Sequence, residues 1–191
     1  RGSGAAAMSK KTGRVVANID IGGGTTNIAV LKHGEVIGTV TLHVGGRLIS
    51  YENGLVKEVA PSVKKLLLAN DLIYRIGDSR NAQIEHFVVS EMVRSINAVL
   101  RCEQDASKIP MLLGHVPNWS GSVDTILFSG GVSQCIYPRA DANCDMGVFN
   151  DIGSAIAKAC MEDELLQQFD WTEPIETVRA TVMGAGAQST D

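Results

Sequence analysis

Three consecutive glycines, Gly22, Gly23 and Gly24, stand between two apolar, β-branched runs, Val15–Ile21 and Asn27–Leu31. The second run is too rich in β-branched residues to open an amphipathic helix, so the glycines are expected at the tip of a β-hairpin. Asp20 lies near the end of the first strand, and Thr25 and Thr26 follow the glycines. Such a turn can bring bare backbone N–H groups against a phosphate while the carboxylate faces a hydrated cation. Two familiar phosphate loops are excluded. A P-loop needs Gly-Lys-Ser/Thr where Gly24 leads to Thr25 and Thr26, and a dinucleotide fingerprint needs a third glycine where Asn27 stands, with a helix directly after it. The competing reading is a glycine-rich hairpin that holds no ligand.

Composition bounds what such a hairpin can belong to. The opening Arg1–Met8 reads as a cloning-derived leader, and residues 1–13 are expected to lie outside the fold. About 180 residues remain, enough for one domain, or a domain with a subdomain. A formal net charge of −4 gives no general attraction to nucleic acid or anionic membrane, and neither is expected as a partner. No apolar run reaches membrane-spanning length and no secretory signal stands at the start, so a cytoplasmic location is expected. Cys102, Cys135, Cys144 and Cys160 form no C-x-x-C pair and no usual zinc spacing. His33, His43, His86 and His115 are likewise scattered, without a ligand-like cluster.

Along the chain, strands are expected over Val15–Ile21, Ile28–Lys32 and Glu35–Val44, joined by the glycine turn and by His33-Gly34 into an antiparallel meander. Gly45-Gly46-Arg47 ends the third strand. Asn53-Gly54 signals a small hairpin, Pro61 a helix running to Asn70, and the three-four spacing of Ile84, Phe87, Val88, Met92, Ile96, Val99 and Leu100 a long helix over Asn81–Arg101, capped by Asp78 or Ser79. Pro110–Ser122 reads as a loop-rich linker in which Trp119 covers the core. The short apolar run Thr125–Phe128 has the pattern of a buried, parallel strand, and it ends directly in Ser129-Gly130-Gly131. A helix over Val148–Glu162 and a strand over Thr177–Met183 complete the order. The expectation is an α/β fold: a mixed five-stranded sheet containing a three-strand antiparallel meander, flanked by helices. Residues 14–48 and 123–188 form its core, 49–122 a small inserted helical subdomain and linker, and 189–191 a tail.

Glycines thus stand at three strand ends, and there the sequence resembles a family. Asp20-Ile21-Gly22-Gly23-Gly24-Thr25, then His43-Val44-Gly45-Gly46, then Leu127-Phe128-Ser129-Gly130-Gly131 are similar to the nucleotide-binding second half of the actin, 70-kDa heat-shock protein and sugar-kinase superfamily, whose domains are RNase H-like. Within it, Asn18–Thr25, Val44–Leu48, Ser129–Val132 and Val178–Ala187 resemble the reactivating factor of ethanolamine ammonia-lyase along nearly the whole chain after the leader. Only the central and later part of that family's protein is matched; its amino-terminal half, with another phosphate turn, has no counterpart here.

The resemblance implies ATP or ADP with Mg²⁺ as cofactors, ethanolamine ammonia-lyase as partner, and ATP-dependent release of damaged cobalamin as the role. It implies a cytoplasmic protein of ethanolamine utilisation, associated with a bacterial microcompartment, and leaves room for a homo-oligomer. By the same resemblance, Gly22, Gly23, Gly24, Thr25 and Thr26 would hold β- and γ-phosphates, with Asp20 and Thr25 as the catalytic pair and Asp20 acting on Mg²⁺ through water. Gly45 and Gly46 would complete the phosphate side, Gly130 and Gly131 would flank adenosine, and Gly184 and Gly186 would pack near the nucleotide edge. Asn27 departs from the pattern, since several superfamily members carry a second carboxylate there. A neutral amide holds a cation or water less strongly, which argues against rapid hydrolysis. With half of the phosphate clamp unmatched, this chain is expected to bind nucleotide weakly and hydrolyse it hardly at all. An actin-like assembly module and a fragment of a sugar-kinase-type phosphotransferase are the alternatives.

Overall fold

A computed structural model describes residues 4–137 and 150–174. Its centre is β1 (Val16–Ile21), bonded antiparallel to β2 (Thr26–Lys32), which pairs antiparallel with β3 (Glu35–Leu42). This is the expected meander. The register sets Ile21 opposite Thr26, so the glycine turn closes directly on the last pair of the hairpin. His33 and Gly34 both take positive φ, 52° and 88°, as a two-residue turn between β2 and β3 requires.

On its other edge β1 pairs in parallel with β7 (Thr125–Ser129), every residue of which is buried. Burial on both faces is what the uninterrupted apolar run Thr125–Phe128 implies. Two strands of two residues each extend the sheet: β6 (Leu112–Leu113) beside β3, and β8 (Asp170–Trp171) parallel to β7. The order among the described residues is β6-β3-β2-β1-β7-β8. The sheet is mixed as expected; among the described residues it holds four of the expected strands and two short edge strands that were not expected, because a two-residue strand leaves no periodic pattern in a sequence. The expected strand over 177–183, with Gly184 and Gly186, lies outside the described residues.

Side chains of β1 alternate. Ala17, Ile19 and Ile21 join Ile28, Val30, Val40, Leu42, Ile126 and Phe128 in the main core, under α3 (Ala82–Leu100) and α5 (Gly153–Glu162). In α3, Val88, Met92, Ile96 and Val99 are fully buried, each worth about 1.5–3 kcal/mol relative to exposure. Val16, Leu31 and Leu127 face the opposite side, where Ala5 packs against them. Ala5 belongs to α1 (Ala5–Thr12), a helix in the leader that was expected to lie outside the fold. Alanines favour the helix, and Ser9 anchors it by donating from its buried hydroxyl to the Arg14 carbonyl at 2.9 Å.

Between β3 and β7 the chain forms the hairpin β4 (Ile49–Glu52) and β5 (Leu55–Val59), then α2 (Pro61–Leu68), then α3. Asn53 and Gly54 turn the hairpin at φ 53° and 78°. Arg80 fastens this segment to the start of α3. Its guanidinium bonds both oxygens of Glu85 at 2.8 and 3.0 Å and lies 4.6 Å from the centre of the Tyr51 ring. Trp119 is buried in the long connection, as expected, and seats on Gly38, where a Cβ would come within 2.5 Å of its ring. The α3 cap is Asn81, not Asp78 or Ser79: its side-chain oxygen accepts from the N–H groups of Gln83 and Ile84 at 3.0 and 3.1 Å. Asn81→Ala is therefore expected to cost about 1 kcal/mol and lower the thermal midpoint by several degrees. Ser79→Ala should leave the midpoint nearly unchanged, as read by circular dichroism.

Candidate functional site

The parallel pairing of β1 with β7 delivers both strands' carboxyl ends to one edge of the sheet, and their glycines meet there. Gly22 closes its own turn by donating to the Thr25 carbonyl at 3.0 Å. The second turn, a short 3-10 segment over Gly46–Leu48, docks on the first: the N–H groups of Gly46 and Arg47 donate to the carbonyls of Gly22 and Gly23 at 3.1 and 2.7 Å. The third turn follows β7, and Val132 N–H donates to the Ile21 carbonyl at 3.3 Å. Ile152 then donates to the Gly46 carbonyl at 3.0 Å and brings up the start of α5.

These turns approach each other too closely for side chains. A Cβ on Gly45 would lie 2.5 Å from the Gly23 carbonyl oxygen and 2.7 Å from the Gly24 nitrogen. Gly130 is constrained twice over: it takes φ +83°, and a Cβ there would sit 2.4 Å from Asp20 Oδ1 and 2.5 Å from the Ile21 oxygen. Glycine is thus required for backbone to meet backbone. The result is a cleft of about 350 Å³ whose walls include Gly22, Gly23, Gly46, Arg47, Gly131 and Gly153.

The expected site residues divide into three groups. Gly22, Gly23, Gly46 and Gly131 line the cleft; Gly45 and Gly130 sit behind the wall and set its shape. Gly24 and Thr25 lie at the turn tip, and among the described residues the N–H groups of Gly23, Gly24 and Thr25 make no hydrogen bond. Those three donors are available to an anion, whereas Gly22's is spent inside the turn. Thr26 differs from expectation. It is fully buried and its hydroxyl donates to the Val44 carbonyl at 2.8 Å, which ties β2 to the end of β3 and leaves nothing to offer a ligand.

Asp20 is half-buried on β1 beside the Gly130 turn, and no described residue donates a hydrogen bond to it. Burial alone raises its carboxyl above the ordinary value of 3.8. Asn27, opposite Asp20 in the register, accepts from the Thr41 hydroxyl at 3.0 Å. Among the described residues no three His, Cys, Asp or Glu side chains converge as a metal site. Cys144 lies outside those residues.

Three contributors were not anticipated. Arg47 lays its guanidinium against Gly23, within 2.8 Å of where a Cβ would stand. Asp151 accepts from Gly153 N–H at 2.8 Å and so caps the first turn of α5, while Gly153 lets that helix approach Gly46. Asp-x-Gly-Ser before an apolar helical pattern is a cap signal, legible in principle; the position of Arg47 is a tertiary fact with no local signature.

A family model described as "Ethanolamine utilisation protein EutA" matches residues 1–191. The chain belongs to the EutA family. It is 33% identical over 196 aligned residues to the ethanolamine ammonia-lyase reactivases EutA of Salmonella typhimurium strain LT2 and of Escherichia coli strain K12. Each match takes in 98% of this chain and 40% of the relative, so the chain spans well under half the length of those EutA proteins. Among solved structures, the ethanolamine utilization protein EutJ from Carboxydothermus hydrogenoformans is similar at a TM-score of 0.38 and 15% identity, over 96% of this chain and 52% of that one. Bacillus thuringiensis ParM with ATP is similar at 0.35 and 14%, over 86% and 42%.

Two outcomes test this geometry. Gly45→Ala should destabilise the fold by more than about 1 kcal/mol in urea unfolding, since a backbone clash has no flexible side chain to yield, whereas Gly131→Ala, with open space around it, should be tolerated. For Asp20 the folded state holds its proton to higher pH than the unfolded chain. Stability is therefore lost as pH rises from about 4 through the folded titration, and the penalty is fully present above it. Asp20→Asn is expected to raise the thermal midpoint at pH 7, with the gain shrinking as the pH falls through that window.

Proposed function

We propose that this chain forms the nucleotide-holding half of an actin-like reactivating factor for ethanolamine ammonia-lyase. The observation that carries this reading is the convergence of the Gly22–Gly24, Gly45–Gly46 and Gly130–Gly131 turns on one cleft, with unpaired N–H groups at Gly23, Gly24 and Thr25. The name of the EutA relatives supplies the partner. In this reading ATP or ADP lies with its phosphates against the first turn, where backbone N–H groups and the Thr25 hydroxyl bond oxygen without side-chain reorganisation. Gly46 and Gly153 border the phosphate side, and Gly131 flanks adenosine.

A half-buried carboxylate with no described donor fits Mg²⁺ held through water. That cation keeps most of its hydration shell and needs only one or two carboxylates, so the lack of a larger acidic group is no obstacle. Asp20 would orient its water shell; Asn27, neutral and bonded to Thr41, would contribute little. When bound, Mg²⁺ would supply charge neutralisation at the phosphates. The reactivase role follows from linkage: nucleotide state must change affinity for one conformation of the lyase, so that damaged cobalamin leaves and intact cofactor enters.

Calorimetric titration with Mg-ADP checks the reading. Saturable heat from the wild type that weakens at least tenfold in Asp20→Ala is expected. A flat wild-type titration, together with no nucleotide-dependent change in capture of this chain by ethanolamine ammonia-lyase, would sink it.

A further inference from the structure

Among the described residues that line the cleft, Arg47 is the one side-chain cation. Arg47 is exposed, its guanidinium lies on Gly23, and among the described residues it makes neither an ion pair nor a side-chain hydrogen bond. Elsewhere Arg80 is paired with Glu85 and Arg94 with Glu91. An arginine held beside a glycine turn whose next two N–H groups are free has five fixed donors and no acceptor, which suits it to phosphate oxygen. Its backbone is fixed too, because Arg47 N–H is bonded to the Gly23 carbonyl at 2.7 Å. Thus the turn that would receive the phosphates also positions the cation.

Two carboxylates stand near it: Asp20 behind Gly130, and Asp151 in the cleft lining with Oδ1 on Gly153 N–H. Among the described residues no cluster of three metal-binding side chains forms, and the guanidinium is the charged lining group suited to bind phosphate oxygen directly.

Resting on the nucleotide reading above, we infer that Arg47 is the specificity-determining cation of the cleft. It binds the polyphosphate of a nucleoside di- or triphosphate directly, and nucleotide binding therefore survives removal of Mg²⁺. A guanidinium hydrogen-bonded to phosphate is worth a factor of about ten to a hundred in affinity. Lysine, a point charge without the planar fork, restores only part of it.

Titration of the chain with N-methylanthraniloyl-ADP, in Mg²⁺ and in EDTA, tests this. The wild type should bind under both conditions. Arg47→Ala should weaken binding ten- to a hundredfold in EDTA and less in Mg²⁺, with an unchanged thermal midpoint, and Arg47→Lys should fall between. Competition by adenosine, which has no phosphate, should be the same for wild type and Arg47→Ala. Gly23→Ala supplies an independent variant: its Cβ would displace the flexible guanidinium while keeping the backbone N–H. Its loss should overlap that of Arg47→Ala, so that the double variant is no weaker than Arg47→Ala alone. Wild-type binding matched or exceeded by Arg47→Ala, losses that add in the double variant, or wild-type binding abolished by EDTA would each overturn the inference and leave the nucleotide reading standing. Absence of wild-type binding in both buffers would overturn both.

Discussion

Everything at the candidate site hangs on one run of backbone hydrogen bonds. Thr25 accepts from Gly22, Gly22 from Gly46, and Gly46 from Ile152, so two turns and a helix start are sewn together without a side chain among them, and Val132 N–H ties the third turn to Ile21. Main-chain groups taken out of water must find partners, and here they find them in each other. That arrangement needs close approach, which explains why Gly45 and Gly130 have no room for a Cβ. It also decides which donors are left over. Once Gly22 and Gly46 are spent, the free N–H groups lie at the turn tip.

The sheet makes this stitching cheap. β7 is buried along its whole length, and Ile19 and Ile21 of β1 are buried beside it, so the strand ends are rigid before the turns begin. Ligands in open α/β sheets gather at such ends because loops there can be irregular while their roots are fixed. The half-buried Asp20 is the cost of the arrangement. A carboxylate without a donor is held out of water beside Gly130, an arrangement that packing alone would not favour.

Much of this was legible in the sequence, for identifiable reasons. The meander declared itself through β-branched runs separated by Gly-Gly-Gly and His-Gly, and α3 through nineteen residues of sustained three-four spacing. The parallel strand was readable because burial on both faces leaves a continuous apolar run. Other features were hidden. Edge strands of two residues have no period. The leader helix is stabilised by Ala5 and Ser9 docking on the sheet, a contact between segments that local pattern does not encode. Thr26 beside Thr25 looked like a second phosphate hydroxyl, yet strand alternation turns it inward to Val44. Arg47 reaches the cleft by tertiary folding alone.

The β4–β5 hairpin begins at Ile49, immediately after the Gly46–Leu48 turn, with no linker between them. Leu48 accepts from Ala60 at 2.8 Å, and Tyr51 donates to Asn150 at 2.7 Å beside the residues that lead into α5. The hairpin is therefore braced at its root from two sides, and through Arg80 it is clasped to α3. The far turn is fastened as well, since Arg80 N–H donates to the Gly54 carbonyl at 3.0 Å. The cleft wall, the hairpin and the start of α3 are therefore one continuous hydrogen-bonded unit, with no slack chain between the Gly45–Arg47 backbone and the segment that leads into α3.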